Sequence, residues 1–209
     1  MIGTLAPSRS VTDAFARVVA ASPPLRSLVL IVALAGAVAG RVALNGSDRP
    51  RAFTAGAVFG LALILIAIRT TGRWSVRRPM PAALVLGLVG GAALVALPGW
   101  VSPLPAIGLG LHPEPFAAWA VVTVIVAIGE EAVLRGVLFD AVTATLGRPG
   151  AVLLTSVAFA LLHVPLYGWH VVPLDLAVGV YLGGLRLLGR GIAAPAVAHA
   201  VADLATWWL

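Results

Sequence analysis

Apolar residues along this 209-residue chain gather into long runs at 27–44, 53–68, 82–97, 116–138, 151–166, 172–188 and 192–209. An α-helix needs roughly 17 to 25 apolar residues to cross a bilayer, at a rise of about 1.5 Å per residue. Each run approaches or exceeds the lower limit, and Pro and Gly cluster in the breaks at 79–81, 98–105 and 113–115. Such punctuation marks short connections between helices. The pattern therefore predicts an all-α fold: a polytopic transmembrane helical bundle of about seven spans. Several runs are short enough that one could be re-entrant.

Residues 1–26 are mixed in character. Val11, Phe15, Val18 and Val19 recur at helical spacing with Arg17 among them, which predicts a short interfacial helix on the N-terminal segment. No repeat or second domain follows, so 27–209 reads as one transmembrane domain. Ala37-Val38-Ala39 in the first run resembles a signal-peptide cleavage site, but six further spans favour a retained anchor.

Composition agrees with a lipid environment. The chain is 60% hydrophobic and 11% charged, far too apolar for a soluble domain of this length to cover one core. It has no cysteine, which excludes disulfides, thiolate metal sites and a cysteine nucleophile. Its net charge of +6 draws its positive part from arginine alone. Most of those arginines occupy short connections, where membrane topology explains them and a nucleic-acid partner does not.

Arg69, Arg73, Arg77 and Arg78 fill the connection after the second run, whereas the connections 99–115 and 167–170 carry none. The positive-inside rule then places the second connection and the N-terminus in the cytoplasm of a multi-pass cell-membrane protein. Arg148, Arg186 and Arg190 fall on that side by alternation, while Arg41, Arg49 and Arg51 dissent. Trp100, Trp119, Tyr167, Trp169, Trp207 and Trp208 lie at the opposite helix ends, as half of an aromatic belt.

Against this frame Glu130, Glu131 and Arg135 stand out inside the fourth run. One ionisable group near the centre of a membrane helix costs roughly 2.5 to 3.5 kcal/mol on insertion scales, so three within six residues make function the default reading. Two more groups lie within spans: Phe159 with His163, and His199 with Asp203. Glu131 and Arg135, Phe159 and His163, and His199 and Asp203 are all i, i+4 pairs, each sharing one helix face. Glu130 is turned about 100° from Glu131, so one carboxylate can meet arginine while the other faces elsewhere. From the cytoplasmic ends, Glu130 and His199 lie about 10 to 12 Å deep and His163 and Asp203 about 16 to 18 Å, so three helices bring titratable groups to similar depth.

Plainer readings exist for each. Glu131 with Arg135 can be a structural ion pair, a lone membrane histidine can be a hydrogen-bonded core residue, and Asp203 can merely orient His199. Taken together the groups suit water activation, with Glu130 as general base and a histidine sharing the water. His163, His199 and a carboxylate could also hold a divalent metal such as zinc, although His-Glu-x-x-His is absent. His112, His170, Asp140 and Asp175 are weaker candidates, Asp175 because it suits the first turn of the sixth span.

The strings Glu-Glu-Ala-Val-Leu-Arg at 130–135, Phe-Ala-Leu-Leu-His at 159–163 and His-Ala-Val-Ala-Asp at 199–203 resemble, in that order, the motifs of the CPBP (ABI) intramembrane proteases. That family includes the type II CAAX prenyl proteases and bacterial proteins linked to bacteriocin self-immunity. Leu182-Gly183-Gly184-Leu185-Arg186 and Ala194-Pro195 add to the resemblance, which covers 116–209. It implies an intramembrane endopeptidase acting on a peptide or membrane-protein segment. Glu130 and His163 would activate water, Glu131 and Arg135 would hold the site, and His199 with residue 203 would steady an oxyanion. Asp203 departs from the Asn that can donate a hydrogen bond there; as Asp it must be protonated, bind a metal or act through His199. A non-enzymatic immunity or scaffold protein and a proton-coupled transporter are the competing classes.

Overall fold

A computed structural model describes residues 22–45, 49–71, 80–101 and 115–208. The expected interfacial helix, the arginines at 73, 77 and 78, and His112 lie outside the described residues. Nearly all of those described are helical, and there is no strand among them. Helix α1 spans Pro23–Leu44, α2 Arg49–Thr71, α3 Pro81–Val101, α4 Phe116–Glu131, α5 Phe139–Tyr167, α6 Val172–Leu188 and α7 Ala193–Ala205. A π-helical segment, Ala132–Leu138, joins α4 to α5, and a 3-10 turn, Trp169–Val171, precedes α6.

Every apolar run is thus helical, with shifted boundaries. The fourth run does not stop at Leu138 but continues through the π segment into α5. The break comes at Gly147, whose φ of 68° turns the chain before Pro149 begins the helix anew. That backbone region is open to glycine at little cost, and proline suits the first turn of a restarted helix. Four helical stretches, Pro23–Leu44, Ala52–Thr70, Phe116–Tyr167 and Trp169–Leu188, are long and apolar enough to cross a membrane; the third holds two of the runs, while Pro81–Ala96 and Ala193–Ala205 are shorter. The last helix ends at Ala205 in a series of turns rather than running to the C-terminus as expected.

Outward faces are apolar. Leu28, Val32, Leu61, Leu65, Leu88, Val89 and Leu153 are all more than half exposed, as suits side chains meeting lipid tails. The membrane supplies little hydrophobic drive between helices, so association depends on close packing of small residues. Helix α3 packs on α7, α5 on α6, and α2 on α4. A Cβ at Gly91 would stand 2.6 Å from Val201 Cβ, and one at Gly87 2.7 Å from Ala194 O, so these glycines let α3 lie directly on α7. Gly129, just before Glu130, is similarly pressed on α2, with Gly60 O 2.8 Å from where its Cβ would be.

The core centres on the π segment. Leu134 and Leu138 are fully buried, and they belong to one cluster with Leu30 and Leu34 of α1, Phe59 and Leu63 of α2, Leu182 of α6 and Ala198 of α7. At one end Phe116 and Trp119 of α4 meet Trp207 after α7, with ring centroids 5.3 and 4.9 Å apart respectively. That grouping sits where the sequence placed its aromatic belt. Arg41, one of the dissenting arginines, lies over the Phe59 ring at 4.8 Å.

Replacing Gly91 by Val should force α3 from α7 and cost about 1 to 3 kcal/mol, read as a lower unfolding midpoint in detergent. Gly36→Ala is the control: nothing lies within 4 Å of the added methyl group, and its midpoint should not fall.

Candidate active site

The polar groups singled out in the sequence converge, from different helices, on the π segment. Glu130 and Glu131 end α4, Arg135 lies within the π turn, Phe159 and His163 come from α5, and His199 and Asp203 from α7. Such wide turns recur at functional sites because they re-aim side chains within an otherwise regular helix. Here Phe139 N–H reaches back five residues to Leu134 O as well as to Gly136 O.

Glu131 and Arg135 are fully buried and paired, with Nη1 donating to Oε1 at 2.8 Å. Arg135 Nη2 donates to Gly179 O at 3.0 Å, fastening the pair to α6, and the guanidinium lies 4.8 Å from the Phe159 ring centroid. Gly179 can offer its carbonyl there because α6 runs close to α5: a Cβ at 179 would lie 2.9 Å from Ser156 Cα. The same Glu131 Oε1 meets His199 Nδ1 at 3.1 Å. Since that oxygen belongs to a carboxylate held by arginine, the hydrogen bond assigns the proton to His199 Nδ1.

The other ring nitrogen, His199 Nε2, then faces two carboxylates, Asp203 Oδ2 at 3.4 Å and Glu130 Oε2 at 3.9 Å. Glu130 is 1% exposed, and its Oε2 is buried without a hydrogen-bond partner. Asp203 is the most exposed member of the group, on the rim. Phe159 is the hub between the histidines: its ring lies 4.8 Å from that of His163 and 5.5 Å from that of His199, edge-on to both.

His163 is placed differently from the rest. Its Nδ1 faces Phe159 O at 3.0 Å and Asp175 Oδ2 at 3.4 Å, rather than either glutamate. From the sequence Asp175 reads as a helix-terminal acid; the signal for more is that it is one more acid inside an apolar run. For Arg186 the sequence offers a topology marker and a place at the end of the Leu182–Arg186 string, but no contact. It donates through Nε to Arg135 O at 2.7 Å and through Nη2 to Asp140 Oδ1 at 3.0 Å, clasping the π turn from α6.

Among the described residues no group of three His, Asp or Glu side chains is arranged to hold a metal ion. Glu131 is already engaged by Arg135 and His199, and His163 Nδ1 by Phe159 O and Asp175.

A family model described as "Type II CAAX prenyl endopeptidase Rce1-like" matches residues 112–205. Residues 112–205 thus resemble an Rce1-like domain. The match includes the three motif strings and α4 to α7, and leaves α1 to α3 outside it. No curated protein and no solved structure matches the chain. An Rce1-like domain on apolar helices supports a membrane peptide hydrolase of the CAAX-protease class in general.

Removing Arg135 from this Rce1-like domain, as Arg135→Met, should leave Glu131 as an uncompensated buried charge and cost about 3 to 5 kcal/mol. Thermal unfolding in detergent would register the loss, and an unchanged midpoint would show the pair to be dispensable.

Proposed function

We propose that this protein is an intramembrane endopeptidase that hydrolyses a peptide bond with a water activated by Glu130. The observation that carries the reading is Glu130 Oε2, buried and without a hydrogen-bond partner, 3.9 Å from His199 Nε2. A buried acceptor left unsatisfied is costly, and native structures keep one mainly where it works. At 3.9 Å the two groups are too far apart for a direct hydrogen bond and close enough to share one oxygen atom.

In the proposed step Glu130 takes a proton from water as the water oxygen bonds to the scissile carbonyl carbon. The carbonyl oxygen becomes an oxyanion, and a second proton on His199 Nε2, which makes the ring an imidazolium held between Glu131 and Asp203, stabilises it. That proton is supported by Asp203, which thereby acts through the histidine instead of donating a hydrogen bond itself. Glu131 and Arg135 fix the imidazole from its Nδ1 side. Collapse of the intermediate breaks the C–N bond, and the proton collected by Glu130 passes to the leaving amine, with His163 across the Phe159 ring as the second base. The products are a carboxylate and an amine. No step passes through a metal.

The substrate in this reading is a peptide or membrane-protein segment presented from the bilayer, which gathers apolar chains and excludes bulk water. The N-terminus faces the cytoplasm, following the arginine-rich connection that begins at Arg69.

Cleavage of a peptide library in detergent micelles tests the reading. Glu130→Gln keeps the side-chain volume but removes the base, and should lower kcat by roughly 100- to 10,000-fold with the fold intact. Equal turnover by the variant and the wild type would dismiss Glu130 as the base.

A further inference from the structure

Asp175 lies in the first turn of α6 and outside the three motif strings, and helix polarity alone would explain an acid there. Its direction tells against that account as the whole of its role. Oδ2 is turned 3.4 Å from His163 Nδ1, and both side chains are largely buried, 19% and 16% exposed. The same nitrogen has Phe159 O at 3.0 Å. Two acceptors, one of them a carboxylate, therefore converge on one ring nitrogen. A lone pair on Nδ1 would be repelled by both, so the neutral ring carries its proton there. The lone pair is then on Nε2, across the ring from α6.

Aromatic neighbours fix the plane of the ring. Tyr167 stacks on it at 5.8 Å and 30°, and Phe159 meets it edge-on at 4.8 Å. Rotation about the ring's own axis remains to be fixed, and a 180° flip would exchange Nδ1 for a carbon. The carbonyl of Phe159 belongs to the same helix as His163, whereas Asp175 reaches it from α6. Among the described residues, Asp175 alone ties the ring's orientation to the packing of a second helix.

We infer that Asp175 is a positioning residue that holds His163 in the Nδ1–H tautomer and presents Nε2 as its basic nitrogen. The kinetic consequence rests on the hydrolytic reading above; the tautomer does not. Histidines whose far nitrogen works on a ligand commonly have such a carboxylate behind them, and losing it typically costs about 10- to 100-fold in activity.

Nitrogen-15 NMR of histidine-labelled protein in detergent, with the His163 signals assigned from a His163→Gln sample, tests the assignment without any change at Asp175. A neutral ring protonated on Nδ1 is expected, and one protonated on Nε2 overturns the inference. Asp175→Leu removes the acceptor: the ring should then divide between tautomers, and kcat on the peptide library should fall about 10- to 100-fold with KM within about two-fold. Asp175→Asn keeps a neutral acceptor and the side-chain volume, so it should retain the tautomer with a smaller loss of kcat. A purely helix-terminal role would lower the unfolding midpoint but leave both tautomer and kcat as in the wild type, and that result also overturns the inference. If the wild type cleaves nothing, the hydrolytic reading falls while the spectra still decide the pairing.

Discussion

Glu131 Oε1 accepts from Arg135 Nη1 and from His199 Nδ1 in a part of the bundle where all three side chains are buried. Neither donor could be buried there alone. An unpaired guanidinium in a low-dielectric interior would cost several kcal/mol even after relaxation, and the carboxylate as much. Their pairing makes the burial tolerable, and its geometry then constrains the surroundings. Arg135 must reach Gly179 O, which requires α6 to approach α5 without a side chain at 179. His199 must come within reach from α7, which α3 supports through its glycine face. One carboxylate oxygen thus sets the spacing of α4, α6 and α7.

Division of labour between adjacent glutamates follows from the same arrangement. Glu131 has one oxygen paired with Arg135 and His199, which fixes its position. Each glutamate keeps one buried oxygen with no hydrogen-bond partner, but Glu130, one residue earlier on the helix, has its own 3.9 Å from His199 Nε2 and makes no ion pair with Arg135. The lipid-like interior strengthens whatever that oxygen meets, because little water competes for it. In the proposed mechanism, unequal surroundings give two chemically identical side chains different work.

Much of this was legible in the sequence. Apolar runs near the membrane-spanning length imply helices because lipid leaves backbone groups no other partner, and every such run is helical. The i, i+4 spacing of Glu131 with Arg135 and of His199 with Asp203 became contacts, since that spacing places two side chains on one face. The π turn was not legible, because hydrophobic periodicity over seven residues cannot separate a slightly wider turn from a regular one. Neither was the grouping of His163 with Asp175, nor that of Arg186 with the Arg135 carbonyl. Those pairs join residues from different helices, and their meeting depends on helix rotation and approach. The short span of α7 was also hidden: Trp207 and Trp208 continue the apolar run, yet fold back as turns beside Phe116.

The π turn has a consequence for the rest of the chain's register. A widened turn accommodates residues that a regular helix would place further around the axis, where each residue advances about 100°. Downstream of it, Phe139 and Asp140 face Arg186, while upstream the glutamates face α7. Both orientations are correct only because the wider winding lies between them. It works as a phase shifter, adjusting one continuous helix so that its two halves serve different neighbours without a break in the membrane.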